Sequence, residues 1–379
     1  MNTISMVGTL PPNKGISDTC LEQVKYLSKK FKVVFIDFKQ LYPEFLYPGG
    51  SKDTSQAPKI ENVKIINILT WYNPFSWISA AYKVKGRTLH MHWWTYYLFM
   101  PLFTILITNK LRGKKTVCNV HNVEGHESNI LDKLLTMIFL KNVDQLIVHA
   151  NDNKEKIHKN YKINKSKISV IPIGIPEFFV KDDVSKTEGR KKLGIKKKKK
   201  VILNFGNIRD YKGIYILLEA FNLIKKKNKD AFLIIAGKPW VDWTKYQNII
   251  DKYNLKNDIL LNLDYIAADD VKYYFRAADI LVLPYKHFDA QSGPGRIALG
   301  FELPMVVSDV GGLPDLVMDK KCIAKPGDID GFAISVNRII NNKRLYSKLL
   351  LDSKILKKKL GWDNIIEKNI KLYLSLDSK

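Results

Sequence analysis

The sequence has few cysteines and no long apolar run. Three cysteines (Cys20, Cys118 and Cys322) in 379 residues are too few and too scattered for a disulfide framework or a zinc cage, so we expect a reducing compartment. The most apolar segment, Tyr97 to Thr108, has 12 residues, whereas spanning a bilayer takes about 20. No basic stretch followed by an apolar run opens the chain, so we expect no secretory signal. These absences favour a soluble, cytoplasmic protein.

Two common nucleotide-binding motifs and a convincing metal motif are also missing. There is no G-x-G-x-x-G after a first strand and no G-x-x-x-x-G-K-[ST], which disfavours a plain dehydrogenase or a P-loop NTPase. The only D-x-D, Asp328 to Asp330, follows the last predicted strand, where Asp commonly caps a helix. His90 and His92 would share one strand face but lack a nearby third ligand. We therefore predict no metal site.

Negative charge is scarce relative to positive charge. The 62 Lys and Arg against 37 Asp and Glu give a net charge of +25, which suggests nucleic acid or an anionic membrane surface as partner. The abundance of Lys, Ile and Asn also fits the codon bias of a low-GC genome. The densest run, Arg190 to Lys200, favours a solvated linker or surface face; the alternatives are a membrane or lipid-phosphate contact and, after it, nucleic acid. No zinc finger or RNA-binding signature accompanies the charge, so we expect no nucleic acid.

Length and periodicity predict two α/β domains. At roughly 150 residues per domain the chain holds about 2.5 domains, and its 46% hydrophobic residues suffice for packed cores. Short β-branched runs alternate with helix-like stretches, which is typical of parallel sheets covered on both faces. We predict a first domain over residues 1–173, a second over 174–360 and a C-terminal helix over 361–379 that packs back on the first domain. The predicted strands are Ile4–Val7, Val33–Asp37, Val63–Ile68, Thr88–His92, Thr116–Val120, Gln145–His149, Ile168–Pro172, Val201–Phe205, Phe232–Ala236, Ile259–Leu263, Ile280–Leu283, Met305–Ser308 and Cys322–Ala324.

Two loops of the second half have the composition of anion-binding loops. Gly206 to Gly213 (GNIRDYKG) joins a strand to an amphipathic helix and carries two cations, Arg209 and Lys212. In a doubly wound sheet such a loop lies at the carboxyl edge of the strands, where a diphosphate would be neutralised. The alternative is two surface cations near a helix start. Asp289 to Gly295 (DAQSGPG) also enters a helix after a strand and offers backbone N–H groups to an anion.

The order of these segments resembles a known family. VILNFGNIRDYKGIYILLEAF, FLIIAGKPW, YYFRAADILVLPY and GFELPMVVSDVGGLPDLV resemble the C-terminal half of glycosyltransferase family 4, which has the GT-B fold. In the first half, GTLPPNKGISDTCLEQVKYLSK resembles the family's glycine-containing first loop, and TVCNVHNVEGHE followed by VDQLIVHA resembles its acceptor-side strands. The resemblance covers nearly the whole chain. It implies two Rossmann-like, doubly wound domains facing across a cleft.

The family further implies a nucleotide diphosphate sugar as donor, no required cofactor or metal ion, and usually retention of anomeric configuration. Arg209 and Lys212 would hold the diphosphate, and Asp289 would hold hydroxyls of the transferred sugar. The other donor-side residues that the resemblance implies are Gly15, Gly206, Gln291, Ser292, Gly293, Gly295 and Arg296. His121 would be the active-site histidine of the first half, and His92, His126 and Glu127 would contact the acceptor.

Two positions depart from the family pattern. Ile297 stands where the family usually has the Glu that receives the ribose hydroxyls, and an isoleucine cannot accept a hydrogen bond. Glu302 stands where the family commonly has Gly. Either the nucleotide is bound differently here, with Arg296 involved, or donor affinity is reduced. A variant Gln291-Ser292-Gly293 sequence also occurs in some branches of the family.

The sequence therefore predicts a hexosyltransferase that acts on a glycan or lipid-linked acceptor in cell-surface polysaccharide or glycoconjugate synthesis. Aromatic residues at Trp93, Trp94, Tyr96 and Tyr97 beside the apolar stretch fit sugar stacking, a membrane interface or core packing. Together with the positive charge they suggest peripheral contact with an anionic membrane, on the inner face of the cell membrane. The alternatives are a nucleotide-sugar epimerase or phosphorylase on the same fold, and a catalytically weak sugar- or partner-binding subunit.

Overall fold

The computed structural model describes residues 1–13, 15–42, 59–123, 130–180, 183–288 and 291–377. The chain divides into two compact units. Unit 1 comprises Met1–Gly174 together with Trp362–Lys379, and unit 2 comprises Ile175–Gly361. Each unit is built around a parallel β-sheet covered by helices.

Unit 1 contains a seven-stranded sheet with the order β3-β2-β1-β4-β5-β6-β7. Its strands are β1 (Thr3–Gly8), β2 (Lys32–Gln40), β3 (Val63–Thr70), β4 (Thr88–Trp93), β5 (Lys115–Val120), β6 (Gln145–Val148) and β7 (Ile168–Val170). Its helices are α1 (Ser17–Leu27), α2 (Pro74–Lys83), α3 (Phe99–Leu111), α4 (Ile130–Asn142) and α5 (Asn151–Tyr161), to which the last helix of the chain, Trp362–Asp377, is added.

Unit 2 contains a six-stranded sheet with the order β10-β9-β8-β11-β12-β13. Its strands are β8 (Lys200–Phe205), β9 (Ala231–Ala236), β10 (Ile259–Asn262), β11 (Ile280–Leu283), β12 (Met305–Ser308) and β13 (Ile323–Ala324). Its helices are α6 (Lys186–Lys192), α7 (Ile214–Lys227), α8 (Thr244–Lys252), α9 (Val271–Ala277), α10 (Gly293–Gly300), α11 (Ile329–Asn341) and α12 (Lys343–Lys359); the last helix of unit 1 is therefore α13.

The strand order creates one topological switch point in each sheet. In unit 1 the chain winds outward from β1 to β3 and then returns to β4 beside β1; in unit 2 it returns from β10 to β11 beside β8. Ligands of doubly wound sheets bind outside the carboxyl ends of the strands at such points. All thirteen predicted strands overlap a strand of the structure, which confirms the α/β fold class.

The strands form because their β-branched runs are covered on both faces. In unit 1 one apolar cluster lies beneath α2 to α5, and a second lies beneath α1 and α13. Trp362 and Tyr373 bring α13 into that second cluster. In unit 2 the stripe Ile214, Leu217, Phe221 of α7 is fully buried, as its spacing predicts.

The structure places two charged segments that the sequence singles out. The run Arg190 to Lys200 lies inside unit 2, from the end of α6 to the start of β8, and most of its residues are exposed, so it is a surface segment and not a linker between the units. Arg190 itself is buried, and its Nη2 lies 2.8 Å from Oδ2 of Asp279. Asp328 caps α11, accepting a hydrogen bond from the N–H of Gly331 at 2.8 Å, so the helix-cap interpretation of this segment is confirmed.

In the part of the chain that the structure describes, no helix is long and apolar enough to cross a membrane. Most of the apolar stretch from Tyr97 to Thr108 forms α3, which buries Leu102, Ile105 and Leu106 against the sheet.

Candidate active site

The loop after β8 is shaped by two glycines in left-handed conformations. Gly206 follows the strand with φ +100°, and Gly213 precedes α7 with φ +68°. A Cβ at Gly213 would lie 1.9 Å from the carbonyl oxygen of Pro284, the residue after β11. Only glycine therefore allows the loop after β8 to pack against the end of β11. The contact brings the loop to the switch point of the unit 2 sheet.

Two lysines from outside this loop form ion pairs with Asp210 at its centre. The Asp210 carboxylate lies 2.9 Å from Nζ of Lys245 and 2.5 Å from Nζ of Lys286. Hydrogen bonds from these two lysines lower the pKa of Asp210 to about 2. The backbone N–H of Lys286 also donates to the carbonyl of Tyr211 at 2.7 Å. The negative charge of Asp210, the one carboxylate of the loop, is thus already balanced by these lysines.

Lys212 points inward. Its side chain is only 8% exposed, and its Nζ lies 5.6 Å from the ring centroid of Tyr285. The same Nζ would be 3.0 Å from a Cβ at Gly206, so the ammonium group lies against the glycine backbone. Burial, and then the charge of Arg209, lower the pKa of Lys212 to about 8. Among the described residues no carboxylate forms an ion pair with it, which is unusual for a buried lysine.

Arg209 lies at the solvent side of the same turn. Its guanidinium carbon is 4.7 Å from the ring centroid of Trp240, which follows β9. The loops after β8 and β9 are joined by backbone hydrogen bonds from Ile208 to Lys238 and from Trp240 to Ile208, at 2.9 and 2.8 Å. Sequence reasoning assigned no role to Lys238 or Trp240, although both follow a strand of the same sheet.

The N-terminus of α10 offers fewer donors than its small residues predict. Ser292 is the N-cap, and its Oγ already accepts the N–H of Gly295 at 3.2 Å. Pro294 has no N–H to donate. The N–H of Gly293 remains, and a Cβ at Gly293 would meet nothing within 4 Å. At Gly295 a Cβ would lie 2.4 Å from Leu316 Cδ1, so the absence of a side chain there makes room for Leu316.

A pocket of about 210 Å³ lies at this edge of unit 2. Backbone atoms at the ends of β8 and β9 line it together with the start of α10; its lining residues include Gly206, Gly237, Lys238, Tyr265, Gly293 and Ile297. A larger, open depression of about 760 Å³ lies at the opposite, amino-terminal edge of the unit 1 sheet. As far as its lining is described, that depression contains no predicted site residue.

In unit 1 four histidines form a row across the ends of β4, β5 and β6. The ring centroids are separated by 5.2 Å from His90 to His92, 5.2 Å from His92 to His121 and 5.1 Å from His121 to His149. Nδ1 of His90 lies 2.5 Å from the hydroxyl of Tyr373 on α13. No group of three or more potential ligand side chains in the described ranges could hold a metal ion.

His92 is buried behind His121, and this corrects the prediction that His92 contacts the acceptor. Its side chain is fully buried, and its Nδ1 lies 2.9 Å from Nε2 of His121. Burial, and then the charges of His121 and His90, hold the pKa of His92 well below its ordinary value. The direction of this hydrogen bond depends on the tautomers of the two rings, and the bond fixes the orientation of the His121 ring relative to His92.

The buried histidines make stability depend on pH. Burial lowers the pKa of His90 to about 4. Because an unfolded histidine binds its proton near pH 6.5, the unfolded state takes up more protons between pH 6.5 and 4, and stability falls as pH falls through that window. The loss for His90 alone is roughly 3 kcal/mol at pH 4. The urea unfolding midpoint should depend less on pH in His90→Gln than in the wild type, and as strongly as in the wild type in the surface control His158→Gln. Equal pH dependence in all three proteins would contradict a lowered pKa for His90.

Models of known protein families match both units of the chain. The family described as "Glycosyltransferase Family 4" matches residues 15–177, and the family "Glycosyl transferases group 1" matches residues 185–350. The chain belongs to glycosyltransferase family 4. Its fold is GT-B, which confirms the resemblance drawn from the sequence.

Curated relatives of this glycosyltransferase are similar at low identity. An uncharacterized glycosyltransferase of Haemophilus influenzae is 22% identical over 85% of this chain and 88% of its own length. One of Methanocaldococcus jannaschii is 26% identical over 43% of this chain, and the match spans only 42% of that relative. The UDP-Gal:alpha-D-GlcNAc-diphosphoundecaprenol alpha-1,3-galactosyltransferase of Escherichia coli is 28% identical over 59% of this chain and 57% of its own length.

Solved structures share the fold over the whole chain. Sucrose-phosphate synthase from Thermosynechococcus elongatus superposes with a TM-score of 0.74 at 14% identity, covering 100% of both chains. The Anabaena protein HepE in complex with UDP-glucose superposes with a TM-score of 0.70 at 13% identity, again over 100% of both chains.

Within the glycosyltransferase, the structure brings several predicted donor-side residues together. Gly206 and Gly293 line the pocket of unit 2, and Nζ of Lys212 lies against Gly206; Arg209 and Lys212 are not among the lining residues as described. Arg296 is half-buried on α10 and is not among the pocket-lining residues as described. Gln291 is half-buried just before α10. In unit 1, Gly15 has φ +99° and lies two residues before α1. Three predicted residues, Asp289, His126 and Glu127, lie outside the described residues.

The two departures from the family pattern have a structural context. Ile297 is 6% exposed, belongs to an apolar cluster of unit 2 and lines the pocket. Glu302 has φ +58°, the conformation that favours glycine, and its carboxylate lies 3.0 Å from Nζ of Lys357. The Glu302 substitution therefore strains a turn after α10, whereas Ile297 changes the pocket wall itself.

Proposed function

We propose that this glycosyltransferase binds a nucleotide diphosphate sugar at the carboxyl edge of the unit 2 sheet and transfers the sugar to a glycan or lipid-linked acceptor. One observation carries the proposal: Lys212 is buried at the switch point and forms no ion pair with any described residue. A desolvated ammonium group without a counter-charge is costly, and a bound diphosphate supplies that charge.

The roles of the donor-side groups follow from their positions. Lys212, next to the glycine backbone, would neutralise the charge that grows on the leaving diphosphate, while Arg209, held against Trp240, would bind it from the solvent side. The N–H of Gly293 would donate to a phosphate or sugar oxygen. Asp289 would hold sugar hydroxyls. This charge set requires no metal ion or other cofactor.

His121 would act from unit 1. His92 would position it, and His121 would donate to a phosphate oxygen or a sugar hydroxyl. We propose a hexosyl transfer with retention, in which the acceptor hydroxyl attacks from the leaving-group side. Gly15, His126 and Glu127 would complete the acceptor side. The name of the E. coli relative gives a diphosphoundecaprenol-linked sugar as its acceptor, which supports a lipid-linked acceptor here. We propose that the reaction belongs to cell-surface glycan synthesis and takes place in the cytoplasm, on the inner face of the membrane.

Ile297 favours a second candidate, a sugar-binding GT-B subunit with weak catalysis. Its side chain offers the pocket an apolar wall where the family usually has a ribose-binding carboxylate. This candidate predicts nucleotide binding without turnover.

A thermal-shift panel of nucleotide sugars followed by a turnover assay separates these functions. A ligand that binds only the native state raises the melting temperature. We expect one nucleotide sugar to do so, with a UDP-sugar tested first because HepE is seen with UDP-glucose. Release of free nucleotide should then require an acceptor. Binding without acceptor-dependent release would favour the weak subunit, and no shift with any donor would contradict both.

A further inference from the structure

One third of unit 1 is free of acidic residues. From Asn62 to Val123 the chain contains no Asp or Glu and eight basic residues: Lys64, Lys83, Lys85, Arg87, Lys110, Arg112, Lys114 and Lys115. In the whole chain about one residue in ten is acidic (37 of 379), so this segment departs from the average. The segment contains β3, α2, β4, α3 and β5. The basic residues of this segment, of which Lys83 and Lys110 lie on its helices, therefore have no carboxylate within the segment to oppose them.

The outer faces of α2 and α3 are apolar. The two helices pack side by side and bury Trp77, Ala80, Leu102 and Ile105 against the sheet. On the opposite side of α2, Phe75, Ile78 and Tyr82 recur at spacings of three and four residues, which is one helical stripe. Phe75 is 82% exposed and Tyr82 is 62% exposed. Single exposed apolar residues are ordinary, but a stripe of three on one helix is a surface feature.

The helix α3 extends this surface. Tyr97 and Met100 are more than half exposed near its start, and Leu111 is 84% exposed at its end. The aromatic cluster predicted from the sequence contributes only in part, because Trp93 and Trp94 are buried in the core. We call the surface formed by Phe75, Ile78, Tyr82, Tyr97, Met100 and Leu111 the outer helix face.

Basic residues border the outer helix face where α2 and α3 end. The guanidinium carbon of Arg112 lies 5.3 Å from the ring centroid of Tyr82, and its Nη1 donates to the carbonyl of Ala81 at 2.8 Å. Lys83 is the last residue of α2, and Lys110 donates from Nζ to the carbonyl of Asn142 at 3.1 Å. No described carboxylate forms an ion pair with these three cations. Their charges remain available to an external anion.

We propose that the outer helix face binds the surface of an anionic lipid bilayer. Phe75, Tyr82 and Leu111 would enter the interface, and the bordering cations would contact lipid phosphates. Apolar burial and electrostatic attraction to lipid phosphates add in such binding. A second copy of the chain would instead bring like-charged borders together. The proposal names the surface for the membrane contact proposed above, and it does not depend on the donor or on catalysis.

Vesicle flotation tests the proposal. Wild-type protein should float with phosphatidylcholine vesicles that contain phosphatidylglycerol, and much less with phosphatidylcholine alone. The partition coefficient should fall at least tenfold in Phe75→Ser/Tyr82→Ser and in Lys83→Gln/Lys110→Gln. The matched control Leu374→Ser/Tyr215→Ser removes two other exposed apolar side chains, on α13 and α7, and should bind like the wild type.

Two readouts keep the test decisive. Each variant should keep the melting temperature of the wild type and its nucleotide-induced shift, which separates loss of membrane binding from loss of folding or of donor binding. The proposal is overturned if wild-type protein does not bind anionic vesicles or if the outer-face variants float like the wild type. It is also overturned if light scattering shows a dimer that Phe75→Ser/Tyr82→Ser converts to a monomer, because the face would then bind a second copy.

Discussion

Replacing Lys212 with methionine is expected to raise the melting temperature of the ligand-free protein and to remove most of its affinity for a nucleoside diphosphate. Methionine keeps an unbranched side chain one atom shorter than lysine and has no charge. The pKa of Lys212 is about 8 in the folded protein and 10.5 in its ordinary state. The unfolded state therefore binds more protons between pH 8 and 10.5, so charged Lys212 destabilises the native state below pH 8, and this effect fades as pH rises through that window.

The substitution should increase the stability of the ligand-free protein and decrease its affinity for a nucleoside diphosphate. A shift of this size corresponds to roughly 3 kcal/mol at pH 7, so we expect a gain of about 1–3 kcal/mol once imperfect packing of methionine is included. For a unit of this size that is several degrees in melting temperature. A charged hydrogen bond contributes about 1.5–3 kcal/mol to binding, so nucleoside diphosphate affinity should fall roughly 10- to 100-fold. Turnover should fall roughly 100- to 1000-fold.

The control is Lys354→Met on α12. Lys354 is exposed and forms no ion pair with any described residue. Because its charge lies in water, its removal should leave stability and nucleotide binding near wild type. Differential scanning fluorimetry and calorimetric titration measure the two effects. A Lys212→Met protein that melts lower and still binds nucleotide would show that Lys212 is structural.

Replacing Gly213 with alanine is expected to destabilise unit 2 by more than about 3 kcal/mol and to weaken donor binding. The left-handed conformation alone costs an alanine about 1 kcal/mol. The added Cβ would also lie 1.9 Å from a backbone oxygen of Pro284, so the loop after β8 must move away from β11. Lys212 precedes this glycine and would move with the loop. Urea unfolding followed by a nucleotide titration measures both consequences.

Gly194→Ala is the matched control for this substitution. Gly194 has φ +67°, almost the value at Gly213, but a Cβ there would meet nothing within 4 Å. Its substitution should cost only about 1 kcal/mol and leave nucleotide binding unchanged. Equal destabilisation by the two alanines would mean that the contact with Pro284 does not hold the loop.

The sequence predicts the sheets well because their signal is local. Runs such as Val201–Phe205 are apolar throughout, which is typical of a parallel strand buried on both faces. Glycines bracket the turn with Arg209 and Lys212, so this turn could be placed between β8 and α7 without tertiary information. The burial of Lys212 could not, because it depends on Tyr285 and Pro294, which reach the turn from another strand and helix.

The first half shows the same limit. The spacing of His90 and His92 predicts a shared strand face, but their partners come from elsewhere: Tyr373 lies 283 residues along the chain from His90. Trp94 and Tyr97 differ by three positions, yet one is buried and the other exposed, because Trp94 packs near Phe38 of β2. The amino-acid composition of this segment does not indicate that Trp94 is buried and Tyr97 exposed. The burial of Ile297 likewise follows from packing of α10 in unit 2 and not from its motif position.

The most direct test of the account compares a nucleoside with its diphosphate. The base should be the one that gives the largest thermal shift, and calorimetric titration should give both dissociation constants for wild type and Lys212→Met. We predict that wild type prefers the diphosphate at least about 100-fold, and that Lys212→Met loses at least about tenfold of that preference while its affinity for the nucleoside is unchanged. Equal binding of the two ligands by wild type, or an unchanged preference in the variant, would contradict a diphosphate site at Lys212.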